Sequence, residues 1–442
     1  PAMAMRSGKA ALIPLFRYLP ELWQLIQLGP ELTQGTFAPY MDGPKYEVKN
    51  RWLRDWIDAL AFSLSGLPAS RTSAAAVAYV LYDMHREGAA LDYPKGGLGE
   101  VIDALVGAVE RGTNGSGVNL RRHVETIDFD ADDGNRATGL TLRGGKRVRA
   151  REAVICNAPV WSLNSLIENQ GVRAKLNGGV LPAKEPKTPP SSWSVDTNGD
   201  AAEEITATIK SMRPPSPEEE EALAKGLMSK CDSAEMTGSF LHLHLALDAK
   251  NLDLDSMEAH YTVMDRGLGG VPTTLEGDSA CGELNMIAVS NPCVLDRNLA
   301  PEGYVVVHAY GAGNEPYEIW EGIKRGTEEY ERLKTKRAES LWRAVESVIP
   351  DARERAVLEL VGSPRTHERF LRRPRGTYGA ATEDYLPDGS TPIPNFILAG
   401  DGVFPGIGVP AVALSGASAA NAAVSVWEQW RAMDKLKERG LI

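Results

Sequence analysis

Asn395 to Trp427 reads NFILAGDGVFPGIGVPAVALSGASAANAAVSVW, and the fold follows from how these residues are punctuated. Phe396, Ile397 and Leu398 form a short continuous apolar run, the pattern of a strand buried on both faces. Gly400-Asp401-Gly402 then turns the chain, and a Gly/Pro loop runs from Phe404 to Pro410. The remainder is predicted helical, so rich in Ala, Ser and Gly that a second backbone is expected close against it. A strand, a glycine turn and a helix N-terminus together make a site for an anionic or electron-rich cofactor, because the first N–H groups of the helix point at the ligand. Asp401, at the strand end, is placed to accept a hydrogen bond from a ligand hydroxyl. Single turns of this kind are common in α/β proteins. What points to a ligand is the density of Gly400, Asp401, Pro405, Gly406, Gly408, Val409, Ser415 and Gly416 in one run.

A second unit lies upstream. Asp92 to Gly99 (DYPKGGLG) leads into a predicted helix over 101–110, with Ile102, Leu105, Val106 and Val109 on one face. Strands are predicted at 118–120, 124–129, 137–142 and 148–150, with Asp132-Asp133-Gly134-Asn135 as a hairpin turn. The apolar strand Ala153 to Cys156 then ends at Asn157-Ala158-Pro159.

Around these units the chain reads in blocks. Residues 10–35 are short apolar helices broken by Pro14, Pro20 and Pro30, either a packed hairpin or a membrane-dipping surface with Arg17, Tyr18 and Trp23 at the interface. Residues 48–88 carry two helices, the first with a Trp52, Leu53, Trp56, Ile57, Leu60 and Ala61 stripe, the second capped by Thr72 or Ser73. Residues 178–231 are rich in Pro, Ser, Glu and Lys and read as a surface insertion with one short helix near 218–230. FLHLHLAL (240–247) alternates as a strand, placing His242 and His244 on the face opposite the leucines. Two histidines at i and i+2 suit a metal, but no further Cys/His cluster follows at ligand spacing, so no metal is expected and the pair edges a cavity instead. Gly311 to Pro316 matches part of a dinucleotide fingerprint, with Pro316 where the third glycine belongs, and reads as a turn. Residues 317–349 are predicted helical. The arginines of 365–375, beside Gly376-Thr377-Tyr378-Gly379, suggest a site wall.

Bulk properties narrow the class. The chain has 442 residues, 43% hydrophobic and 24% charged, as in soluble globular proteins. A net charge of −11 without a basic block argues against nucleic-acid binding. Cys156, Cys231, Cys281 and Cys293 have no CxxC spacing and read as buried free thiols in a reducing compartment. No apolar run approaches the roughly 18–20 residues of a membrane span. Pro14 interrupts the apolar patch after Arg6 and Lys9, which argues against a signal peptide.

Together LSGLPASRTSAAAVAY (64–79), LDYPKGGLGEVIDAL (91–105), HVETI, ICNAP, GSPRTHERFLRRPRGTYG (362–379) and AGDGVFPGIGVPAVALSGASAAN (399–421) resemble the carotenoid isomerase and phytoene-desaturase-like flavoproteins of the FAD-dependent amine-oxidase superfamily, above all the plant and algal carotenoid isomerase-like branch. The resemblance implies an α/β fold: a Rossmann-like FAD-binding domain, discontinuous and incomplete at the N-terminus, and a substrate domain of mixed sheet plus helices. It divides the chain into 1–90 (helical, membrane-facing), 91–159 (FAD-binding), 160–390 (substrate domain with the 178–231 insertion) and 391–442 (C-terminal FAD-binding segment). It implies FAD against Gly400, Asp401, Gly408, Val409 and Pro410, with Val124, Asn157 and Ala158 near the adenosine half and Gly96, Gly97 and Gly99 packing a helix onto the sheet.

Family members open on a strand–GxGxxG–helix unit, which this sequence does not contain; the unit lies upstream of Pro1 or has been lost. The activity implied is cis–trans isomerisation or desaturation of an apolar polyene. A carotenoid is then the substrate, a quinone the acceptor in the desaturase case, and a thylakoid or envelope surface in the chloroplast the location. Arg365, His367, Arg369, Arg375 and Tyr378 are the catalytic candidates. The rivals are a non-catalytic, pigment-carrying or structural subunit of a membrane complex and, more distantly, an amine oxidase.

Overall fold

A computed structural model describes residues 35–65, 67–89, 92–112, 116–131, 134–178, 226–263, 286–381 and 384–440. The expected helices at 10–35, the Asp132-Asp133 turn, Cys281 and most of the 178–231 insertion lie outside the described residues. The helices used below are α1 (Arg51–Ser65), α2 (Ala74–His85), α3 (Leu98–Glu110), α4 (Gln170–Leu176), α5 (Leu227–Ser233), α6 (Glu328–Val348), α7 (Pro364–Leu371), α8 (Val409–Ala422) and α9 (Val426–Glu438).

The architecture is mixed α/β and α+β. Strands β1 (Val124–Phe129), β2 (Ala137–Leu142) and β3 (Arg147–Arg149) form an antiparallel meander, as the alternation predicted. Strand β4 (Val154–Cys156) returns from it, and β10 (Phe396–Leu398) pairs with β4 in parallel, Ile397 opposite Ile155. Asn395 ties the two units together. Its side chain accepts from the Ala137 N–H at 2.9 Å and donates to the Ala137 carbonyl at 2.8 Å, while its own carbonyl accepts from Val154. Phe396, Ile397 and Leu398 are all buried, which is why this strand is a continuous apolar run rather than an alternating one.

The second layer pair is a five-stranded antiparallel sheet in the order β6-β7-β8-β5-β9. It comprises β5 (Ser239–Asp248), β6 (His260–Val263), β7 (Ile287–Ser290), β8 (Tyr304–Glu315) and β9 (Ala356–Gly362). Leu241, Leu243, Leu245 and Leu247 of β5 and Val305, Val307 and Ala309 of β8 face α6, where Leu341, Trp342, Ala344 and Val345 complete one buried core. Each such leucine contributes roughly 1.5–3 kcal/mol by leaving water. The period-two pattern of β5 therefore assigns the histidines to the other face.

Several expectations are corrected. Residues 118–120 are not a strand, and Val118 and Leu120 stay exposed, since no described strand offers them a ladder. The Gly311–Pro316 segment is not a turn; β8 runs on to Glu315, whose buried carboxylate takes three hydrogen bonds from Arg337 and one from Trp320. The helix expected over 317–349 begins only at Thr327, whose hydroxyl caps it. The apolar face of α3 is uncovered: Ile102, Leu105 and Val109 are exposed and no residue of this helix is buried. Trp52 of α1 is exposed as well, whereas Ile57 and Ala61 pack as predicted. Ser73 caps α2, in line with the sequence. Among the described residues no helix is long and apolar enough to cross a membrane.

Candidate functional site

The site grows from the carboxyl ends of β4 and β10. In an open parallel sheet ligands sit beyond these ends, because the turns there are free of side-chain packing from the sheet itself. Asn157 and Ala158 follow β4; Gly400 and Asp401 follow β10. The Gly400 N–H donates to the Ser415 hydroxyl of α8 at 3.0 Å, and a Cβ on Gly400 would run into the Asn157 amide. Gly400 has φ of 111°, so the turn is open only to glycine. The chain then passes through Phe404 to Ile407, where the Ile407 N–H donates to the Tyr385 hydroxyl at 3.4 Å. It enters α8 at Gly408, whose φ is 102°. Gly408, Val409 and Pro410 are exposed, no side chain caps this helix, and a Cβ on Gly408 would meet nothing within 4 Å. An open helix N-terminus beside two strand ends is a fitting cradle for a pyrophosphate or an electron-rich ring.

Expectations about this region change in part. Asp401 is engaged, in an ion pair with Arg373, so that arginine links the 362–379 wall to the glycine turn. Nothing in local sequence spacing marks Arg373 or Tyr385 as part of this region. Gly96 and Gly97 lie elsewhere: the Gly96 N–H donates to the Asp296 carboxylate at 3.1 Å and Gly97 faces Leu299. Gly96 and Gly97 shape the turn before α3, and Gly99, in the first turn of α3, has open space around it, so the three do not pack a helix on a sheet. Of the small residues of α8, Ser415 and Ala419 are buried and the Gly400 backbone lies against Ser415, whereas Gly416 has open space around it. Val124 opens β1 and is half-buried.

A second group faces away from the leucine core. His242 and His244 of β5 stand beside His308 and Tyr310 of β8, with His244 directly opposite His308. His367 of α7 stacks on His242 at 4.7 Å and on Phe240 at 5.2 Å. Tyr378 meets the Phe240 ring edge-on at 4.7 Å. His242, His244, His367, Arg369, Leu360 and Phe370 line a cavity of about 850 Å³. The histidine pair thus edges a cavity, as expected. A larger hollow of about 1100 Å³ lies on the meander and touches none of the candidate residues.

Electrostatics here are set by burial. Desolvation, reinforced by His308, His367 and His244, pushes the His242 imidazole down to about 2. Burial and His244 take His308 down to about 3, and burial with the Arg373 charge takes His367 down to about 4. All are neutral at physiological pH. Burial, with Tyr310 and Tyr385 nearby, pushes the Tyr378 phenol up to about 12, so it remains a hydrogen-bond donor. Of the five catalytic candidates, His367 and Arg369 reach the cavity and Tyr378 flanks Phe240. Arg365 instead pairs with Glu368 at 3.3 Å and donates to the Trp320 carbonyl, and Arg375 pairs with Glu318 and lies over Tyr317.

Comparison with known proteins gives the following likenesses. Residues 42–184 match the family model described as flavin containing amine oxidoreductase. The chain is 28% identical to prolycopene isomerase 1, chloroplastic, from an Oncidium hybrid cultivar, across 87% of this chain and 56% of that protein. It is 27% identical to prolycopene isomerase, chloroplastic, from Arabidopsis thaliana, across 88% of this chain and 55% of the other. The chain thus spans about half the length of the curated relatives it matches. A solved oxidoreductase from Methanosarcina mazei aligns with 90% of the chain and 74% of its own, at 16% identity and a TM-score of 0.48.

Proposed function

We propose that this chain is part of an FAD-dependent carotenoid cis–trans isomerase, with a prolycopene-like polyene as substrate. The single observation that carries the reading is the convergence of Asn157-Ala158, Gly400-Asp401 and the open N-terminus of α8 at the ends of two parallel strands. FAD supplies electron density that lowers the barrier to double-bond rotation, with no net redox change. The backbone N–H groups at the start of α8 would hold its negative charge, the Gly400 N–H being held by Ser415, and Arg373 would orient Asp401 toward it. The cavity-facing side of the five-stranded sheet supports an apolar substrate, since Leu360 and Phe370 face solvent there beside neutral imidazoles.

The relatives' names favour isomerisation over desaturation, which would need an acceptor such as a quinone to reoxidise the flavin. They also favour the chloroplast, where such a substrate would come from the thylakoid or envelope surface. Exposed Trp52, Tyr79 and Tyr82 on α1 and α2 are suited to such an interface. The test is to incubate the protein carrying this chain, with FAD and a reductant, with liposomes containing a poly-cis carotenoid, and to separate the isomers by chromatography. All-trans product at unchanged mass is expected. Dehydrogenated product, or no turnover by flavin-loaded protein, would overturn the reading.

A further inference from the structure

The chain has seven histidines: His85, His123, His242, His244, His260, His308 and His367. Four of them, from β5, β8 and α7, stack on one another, and His242, His244 and His367 of these line the cavity described above. We propose that His242, His244 and His308 form a binding site for a divalent transition metal ion, of the zinc, cobalt or nickel class, with an open coordination position toward that cavity.

The geometry is that of a three-imidazole site. His242 and His244 are two apart on one strand and so project from the same face, and His308 stands opposite His244 on the antiparallel neighbour. One ring nitrogen from each lies within 4.8 Å of the others. A tetrahedral ion with metal–nitrogen bonds of about 2.0–2.1 Å separates its ligand nitrogens by roughly 3.4 Å, within reach of small rotations of these rings. His242 Nδ1 and His308 Nε2 are already only 2.7 Å apart, where one proton between them is all that separates two lone pairs. His242 Nε2 is buried and has no hydrogen-bond partner among the described residues. A buried polar atom of this kind is costly unless something satisfies it; since the ring gives an ion one nitrogen, His242 meets it either through this Nε2, with Nδ1 kept on His308, or through Nδ1. An ion drawing the rings into place gives the cluster a purpose that stacking alone leaves unexplained.

Two neighbours support the arrangement. His367 stacks on His242 and is a positioning residue, fixing the ring plane. Tyr310 stacks on His308 at 4.9 Å and closes the other side. No carboxylate among the described residues joins the triad, so the donor set is all imidazole, which suits zinc, copper, iron and nickel rather than calcium or magnesium. The site is separate from the glycine turn at Gly400, and its failure would leave the flavin reading standing.

The test uses the whole protein stripped of metal by chelator dialysis and titrated with Co²⁺, followed by visible absorption and by elemental analysis. One equivalent bound, with the intense visible bands of a low-coordinate Co²⁺ site, is expected. His244→Gln and His308→Gln should each weaken binding by at least about 100-fold, since loss of even an outer partner costs metal sites roughly 10–100-fold. His260→Gln, outside the cluster, should leave it unchanged. His244 is the exposed member of the triad, so its variant keeps the test valid where the more buried change disturbs folding, with circular dichroism reporting the fold. Folded wild-type protein that takes up no equivalent of Co²⁺ overturns the proposal. So does binding that survives both cluster substitutions or falls equally in His260→Gln.

Discussion

Replacing Gly400 by alanine, with Gly416→Ala alongside, sets two glycines of the same motif against each other. At Gly400 the backbone sits at φ of 111°, a region that costs a residue with a Cβ of order 1–3 kcal/mol. The added methyl would also displace the Asn157 amide, adding about 1 kcal/mol for the disturbed polar contact. Gly400→Ala should therefore destabilise the protein by about 2–4 kcal/mol. Gly416 lies inside α8, and a methyl group there would meet nothing within 4 Å, so alanine should stabilise by roughly 0.5–1 kcal/mol through helix propensity. Urea unfolding followed by far-ultraviolet circular dichroism measures both, from the shift in midpoint at constant slope. A neutral Gly400→Ala would refute the strained turn. A Gly416→Ala that destabilises by more than about 1 kcal/mol would show that Gly416 itself is packed against a neighbour.

Three further outcomes are expected. Glu315→Gln leaves Arg337 buried without its counter-charge and should cost about 3–5 kcal/mol, read in the same unfolding experiment. Cys231 is buried and its thiol is pushed up to about 12 by desolvation, then by Asp232 and Cys156, so a disulfide reagent at mildly alkaline pH should modify it only after unfolding. Hydrogen bonds from the Gly96 and Asn298 N–H groups hold the Asp296 carboxyl below the ordinary aspartate value. A depressed carboxylate stabilises above its unfolded pKa and loses that contribution as pH falls through the folded one. The Gly96 amide resonance should thus stay constant from about pH 7 down to about pH 5 and move only below roughly pH 4.

The sequence revealed what depends on local pattern and concealed what depends on distant pairing. The alternation of FLHLHLAL was enough to place the leucines in a core and the histidines opposite it, because a strand's period is two. The all-apolar run of β10 and the glycine turn after it were equally readable. His308 and His367 were not, since they join His242 from 66 residues away across a β-ladder and from a helix packed later. Arg373 reaches Asp401 for the same reason: nothing near it in the chain announces the partner. Gly311 to Pro316 misled because a glycine-rich string has no intrinsic preference between turn and strand, and the paired edge of β5 decided for strand. The amphipathic pattern of α3 was read correctly as a helix, but periodicity does not say what covers the apolar face.

The central claim is that the ends of β4 and β10 and the start of α8 hold FAD. The measurement that tests it most directly is the flavin content of purified protein, by absorbance after release, for wild type and Gly400→Val. One FAD per wild-type chain is expected, with loss from a variant whose circular dichroism is still that of the folded protein. Folded wild-type protein that neither carries nor takes up FAD, or a Gly400→Val variant that retains it in full, would contradict the claim.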